Sequence, residues 1–171
     1  MLLDLTVGNF RSVYEPASIN MLATKEQVHR ARCPELKRRY SKRVNPVAAL
    51  FGANAAGKST FVRALIVLRH IVTDPPRPSE SMPYDPFKLL PEADTEPTSF
   101  EILFSVNDVI YEYILRYDAH GVVAERLTQY RSRDEVDIFE RSGNELSFPL
   151  LDKKESAHPT EVAQARALLE S

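Results

Sequence analysis

Apolar residues in this chain follow two spacings, and the spacing sorts the chain into elements. Residues 2–7 alternate apolar and polar and predict a strand. Gly8-Asn9-Phe10-Arg11-Ser12-Val13 reads as a bend, and residues 17–22 predict a second strand pairing with the first. Val47-Ala48-Ala49-Leu50-Phe51 is a continuous apolar run and predicts a buried strand. Residues 60–72 then change to helical spacing: Phe61, Leu65, Leu68 and Val72 share one side, with Ala64 and Ile71 beside them. Seven of the twelve prolines fall between Pro75 and Pro97, so no helix runs through that connection; Phe87, Leu89 and Leu90 are expected to order it in part. From Thr98 the period drops to two. Runs over 98–105, 109–117, 122–131 and 136–140, broken by short polar turns, predict an antiparallel meander, followed by a short strand at 146–148. Residues 160–169 favour a helix.

The expected fold class is therefore α/β with α+β character. One lobe spans 1–171: N-terminal strands, a basic loop and a loop-helix unit over 1–73, the Pro-rich connection over 74–97, the meander over 98–149, and a helical segment over 150–171.

Between the apolar run and the helix stands Phe51-Gly52-Ala53-Asn54-Ala55-Ala56-Gly57-Lys58-Ser59-Thr60, which contains the pattern G-x-x-x-x-G-K-[ST]. A strand entering and a helix leaving is the context that distinguishes a phosphate-binding loop from a chance match. Triphosphate oxygens need several converging main-chain N–H donors, which demands close approach and unusual dihedrals at Gly52 and Gly57. The helix aims its free N–H groups and positive dipole end at the same oxygens. Asn54, Ala55, Ala56, Gly57, Lys58, Ser59 and Thr60 are thus candidate nucleotide contacts. Lys58 is a point charge for the β- and γ-phosphates, and the Ser59 hydroxyl is the candidate Mg²⁺ ligand. ATP and Mg²⁺ are the expected cofactors.

Composition narrows the setting. With 171 residues, 43% hydrophobic and 27% charged, the chain reads as one ordinary globular domain. The net charge of −2 makes it no general trap for nucleic acid. Cys33 is the single cysteine, so no intramolecular disulfide forms. The start Met-Leu-Leu-Asp lacks a basic leader, and no apolar run approaches the ~18 residues of a membrane span. A cytoplasmic protein without membrane contact is expected.

The strand-end Gly8-Asn9-Phe10-Arg11-Ser12, some forty residues before Gly52-Ala53-Asn54-Ala55-Ala56-Gly57-Lys58-Ser59, resembles the RecF, SMC and OLD (overcoming lysogenization defect) branch of ABC-type ATPases. Pro86-Phe87, Pro97-Thr98-Ser99-Phe100-Glu101-Ile102, Tyr111-Glu112-Tyr113 and Glu125-Arg126-Leu127 look most like the OLD-type proteins of prokaryotic defence and abortive infection. The resemblance covers most of the chain and implies an N-terminal ATPase lobe with an antiparallel β-subdomain. It also implies that Arg11, and with it Ser12, lies beside the nucleotide. By composition alone, Arg11 is a cation in a strand-end bend. Further implications are dimerisation around nucleotide, as a homodimer or with a partner ATPase lobe, and control of an effector protein.

Two parts of such an ATPase are missing from the pattern. A Walker B strand needs four apolar residues followed by Asp and Glu. Phe148-Pro149-Leu150-Leu151-Asp152 carries a proline and is followed by Lys153, and Phe104-Ser105-Val106-Asn107-Asp108 is too polar. The signature segment needs clustered glycines, and the five glycines here are never adjacent. The expectation is an incomplete ATPase that binds nucleotide but hydrolyses negligibly alone.

Other features weigh less. Residues 25–43 hold eight Lys or Arg against two acids and could contact a nucleic-acid backbone; a solvated loop with Tyr40 as its one aromatic explains them more simply. His29, His70, His120 and His158 are scattered without ligand spacing, and His70 suits the helix C-terminal dipole. Glu101, Glu112 and Glu125 could form a carboxylate cluster but read more simply as polar positions on a sheet, and Tyr111, Tyr113 and Tyr117 read as packing or interface residues. Two rival functions remain: a non-catalytic interaction module that keeps the loop as an anchor, and a small P-loop kinase, which the β-rich second half disfavours.

Overall fold

The computed structural model describes residues 1–24, 30–36, 42–54, 56–77, 80–131 and 134–151. Ala55, much of the basic segment 25–43 and the helix expected at 160–169 fall outside these residues.

The fold is mixed α/β with few helices. Strands β1 (Leu2–Gly8), β2 (Ala17–Asn20), β3 (Thr98–Val106), β4 (Val109–Tyr117), β5 (Val122–Tyr130), β6 (Glu135–Ser142) and β7 (Glu145–Ser147) form one sheet in the order β2-β1-β3-β4-β5-β6-β7. Every neighbouring pair is antiparallel. The hairpins follow from their turn residues: Asn107 and Asp108 both take positive φ (48° and 63°), as a two-residue turn matching the strand twist requires. The expected pairing of the first two strands and the meander are both present. β2 stops at Asn20, two residues early, because Leu22 bridges Val44 instead.

The long excursion from β2 to β3 carries helix α1 (Lys58–Thr73). Register sets what lies beneath it: Phe100 stands between Val7 and Leu115, and Ile102 between Leu5 and Tyr113. That face buries Leu5, Val7, Phe10, Phe100, Leu115 and Tyr117 against Ala64, Leu68 and Ile71 of α1. Phe10 meets Phe100 edge-on, with ring centroids 5.3 Å apart. A smaller cluster of Leu3, Met21, Leu36, Val44 and Ile110 pins Leu36 and Val44 to the sheet. Arg43 belongs to that structure, since its guanidinium donates to Cys33 O at 2.7 Å and to Glu35 at 2.8 Å.

Three expectations change. The buried stripe of α1 is Thr60, Ala64, Leu68 and Ile71, whereas Leu65 and Val72 are exposed. The helix is rotated so that its first turn meets the β1 bend. Residues 47–51 form no strand: Val47 is 77% and Phe51 91% exposed. A central strand needs ladder partners on both sides, and among the described residues none lies beside this run. In the connection, Leu89 is exposed while Pro86 and Ala93 are buried, and a 3₁₀ turn at Pro91–Thr95 interrupts the coil. Among the described residues no helix is long and apolar enough to cross a membrane.

Candidate functional site

β1 delivers its terminal bend to the start of α1, and each bend residue has a separate physical task. Asn9 and Arg11 adopt positive φ (43° and 53°), a conformation Asn tolerates better than most residues. Asn9 is only 4% exposed. Its amide donates to Ala93 O at 2.8 Å and to Glu96 O at 2.7 Å, and its side-chain oxygen accepts the Phe87 N–H at 3.0 Å. The bend is thereby tied to the Pro-rich connection with every amide atom satisfied. Phe10 fills the core. Arg11 pairs with Asp85 at 2.9 Å, and its N–H donates to the Asp85 carbonyl at 2.8 Å. Ser12 and Thr60 join their hydroxyls at 2.6 Å.

Gly57 precedes α1 in the left-handed region (φ 80°, ψ 2°), as expected for the loop pattern. A Cβ there would also stand 3.1 Å from Ser12 Oγ. Gly52 differs from expectation. It does not take positive φ, and what favours glycine is space, because a Cβ would come within 3.3 Å of the Ala56 Cβ. The Lys58 ammonium turns back across the loop and donates to Gly52 O at 2.8 Å and Ala53 O at 2.6 Å. A cation held by two carbonyl oxygens at the loop mouth is matched to oxygen ligands, and phosphate oxygens are better ones.

These elements line an open hollow of about 650 Å³, a size suited to a nucleotide-sized ligand. Arg11, Ser12, Ala56, Gly57, Lys58, Ser59 and Thr60 all line it. Asn54 is exposed in the loop but is not part of the lining. Thr60 is buried with its hydroxyl committed to Ser12, which makes that side chain a latch. Ser59, the candidate Mg²⁺ ligand, is exposed and lines the hollow. Arg63, Asp85 and Lys88 line the hollow too, and none was expected. Arg63 lies one helical turn beyond Ser59, a spacing that sequence reading allows. Asp85 and Lys88 carry no such signal.

The other candidates are accounted for locally. Glu112 pairs with Arg126 at 3.5 Å; Glu125 accepts the Tyr113 hydroxyl at 2.7 Å and lies 3.7 Å from Arg141. They are cross-strand partners. Burial, then the nearby Glu112 and Asp4 charges, raise the Glu101 carboxyl above its usual range. Burial, followed by Glu125, pushes the Tyr113 hydroxyl far up, so it stays a donor. Tyr113 and Tyr117 are core residues, and Tyr111 stacks on Phe104. His70 lies 3.9 Å from Asp74 at the C-terminal end of α1. Among the described residues no three His, Cys, Asp or Glu converge on a metal-sized space. Gly8 pairs with Ser99 and Leu2 with Phe104, so the turn holding Asp108 lies at the opposite end of the sheet from the hollow. Residues 149–151 form a helical turn and no strand, and Asp152 lies outside the described residues.

Among known families, the one described as "AAA domain, putative AbiEii toxin, Type IV TA system" matches residues 47–156, well over half the chain. No curated protein matches. The matched span contains the loop, α1, the Pro-rich connection and the meander, and so includes every residue lining the hollow except Arg11 and Ser12. The chain belongs to this family of P-loop, AAA-type ATPase-like domains.

Proposed function

We propose that residues 52–59 bind Mg-ATP and that the chain is the ATP-binding lobe of an OLD-like, ABC-class ATPase. The observation that carries this reading is the Lys58 ammonium seated on Gly52 O and Ala53 O, beside a left-handed Gly57 that no side chain fills. Main-chain amides of the loop and the first turn of α1 would hold the phosphates, Lys58 would exchange its carbonyl partners for phosphate oxygens, and Ser59 would hold Mg²⁺. Arg11 would add a second cation. Bound Mg²⁺ supplies charge neutralisation at the β- and γ-oxygens.

Hydrolysis needs a carboxylate or amide free to orient water. Among the described residues, Asp85 is the one carboxylate lining the hollow, and both of its oxygens hold cations. This favours an ATP-binding lobe with negligible turnover of its own. The exposed run 47–51 and the exposed Val62 and Ile66 of α1 favour completion by further strands. Dimerisation around nucleotide and control of an effector rest on the OLD-type resemblance, and the toxin–antitoxin wording of the family description supports a setting in defence. Equilibrium binding of Mg-ATP to the chain and to Lys58→Ala tests the reading. A loss of tenfold or more, about 1.4 kcal/mol, is expected in the mutant. Unchanged affinity would overturn it in favour of an interaction module that keeps the loop as an anchor.

A further inference from the structure

The Pro-rich connection forms the wall of the hollow that faces the loop, and its charges are held by the same bend that carries Arg11. The Asp85 carboxylate is shared: Oδ2 accepts Arg11 at 2.9 Å and Oδ1 accepts Lys88 at 3.0 Å. The backbone beneath is pinned at two points, through the Asp85 carbonyl to the Arg11 N–H and through the Phe87 N–H to Asn9 Oδ1. Between them, Pro86 is buried and fixes its own φ. The Phe87 ring lies 5.7 Å from Tyr14, which secures the segment from the other side. Lys88 therefore leaves a fixed backbone beside an anchored carboxylate. With both oxygens occupied by cations, that carboxylate is poorly placed to take a metal ion.

We infer that Lys88 is a polyphosphate-binding residue of this site, and that Asp85 is a positioning residue holding Lys88 and Arg11 as one cationic wall opposite Lys58. The inference rests on the nucleotide-binding reading and adds a second wall to it. Two cations share one carboxylate, so the wall keeps a net positive charge facing a hollow already lined by Lys58 and Arg63. Opposed cationic walls favour an anion whose charge is spread along its length. The order of affinity is then ATP over ADP over AMP, with inorganic triphosphate retaining much of the ATP affinity.

Binding of ATP, AMP and inorganic triphosphate to the full chain tests this, alongside Lys58→Ala, Lys88→Ala and Asp85→Asn. Lys88→Ala should weaken ATP and triphosphate by roughly fivefold at low salt, the size of one exposed charge contact. The effect should shrink at high salt, be smaller for AMP, and leave the urea midpoint unchanged. Asp85→Asn discriminates by sign: loss of position weakens triphosphate binding, whereas a simple gain of net charge tightens it and overturns the positioning role. If Lys88→Ala binds ATP like the wild type while Lys58→Ala does not, the second wall is wrong and the nucleotide site stands. If the wild-type chain binds no triphosphate, both fall.

Discussion

The Ser12 hydroxyl lies 2.6 Å from the Thr60 hydroxyl, joining the end of β1 to the first turn of α1 across 48 residues of sequence. The same Ser12 oxygen stands where a side chain on Gly57 would press, at 3.1 Å from its Cβ position. Helix start, loop glycine and strand-end bend therefore interlock, and the bend sets the shape of the loop mouth.

Gly57→Ala should reveal that interlock. Alanine at φ 80° costs about 1–2 kcal/mol, and the contact with Ser12 adds to it. We expect a loss of about 1–3 kcal/mol in urea unfolding, with Mg-ATP affinity falling at least tenfold. Gly143→Ala is the control: its φ is 57° and nothing lies within 4 Å of its Cβ position. That substitution should carry the backbone cost alone and leave affinity untouched. Equal binding losses in the two variants would show that the loop mouth does not depend on Gly57.

Asn9 should be the most costly polar residue of the bend to remove. Its side chain supports Phe87, Ala93 and Glu96 at once, and Tyr84 reinforces the same carbonyls, donating to Ala93 O at 3.2 Å and to Glu96 O at 2.7 Å. Asn9→Gly keeps the positive φ accessible and isolates the side-chain bonds. A destabilisation of about 2–4 kcal/mol is expected, together with faster proteolysis within residues 75–97. Wild-type proteolysis rates in Asn9→Gly would show that the connection is held by other contacts.

Apolar character should not predict stability in the run 47–51. Phe51 is 91% exposed, so Phe51→Ser should leave the thermal midpoint unchanged within about 1 °C while raising solubility. Phe100, fully buried between Phe10 and Tyr117, is the contrast. Phe100→Ala should cost about 3–5 kcal/mol. A large drop in the melting point of Phe51→Ser would mean that its ring is covered in the free chain.

Local chemistry determined by the sequence alone comprises the period-two strands, the Asn107-Asp108 hairpin, the presence of α1 after the loop and the left-handed Gly57. Each depends on dihedral preference or side-chain spacing within a few residues, and both are written in the chain itself. Tertiary structure alone decided that α1 buries Thr60, Ala64, Leu68 and Ile71, that residues 47–51 stay unpaired, and that Asp85 and Lys88 reach the hollow. It also decided that Asn9 holds the connection. Those outcomes depend on which distant segments return to the end of β1. No local pattern encodes that return, because the free energy that selects it comes from hydrogen bonds and burial between residues up to nearly ninety positions apart.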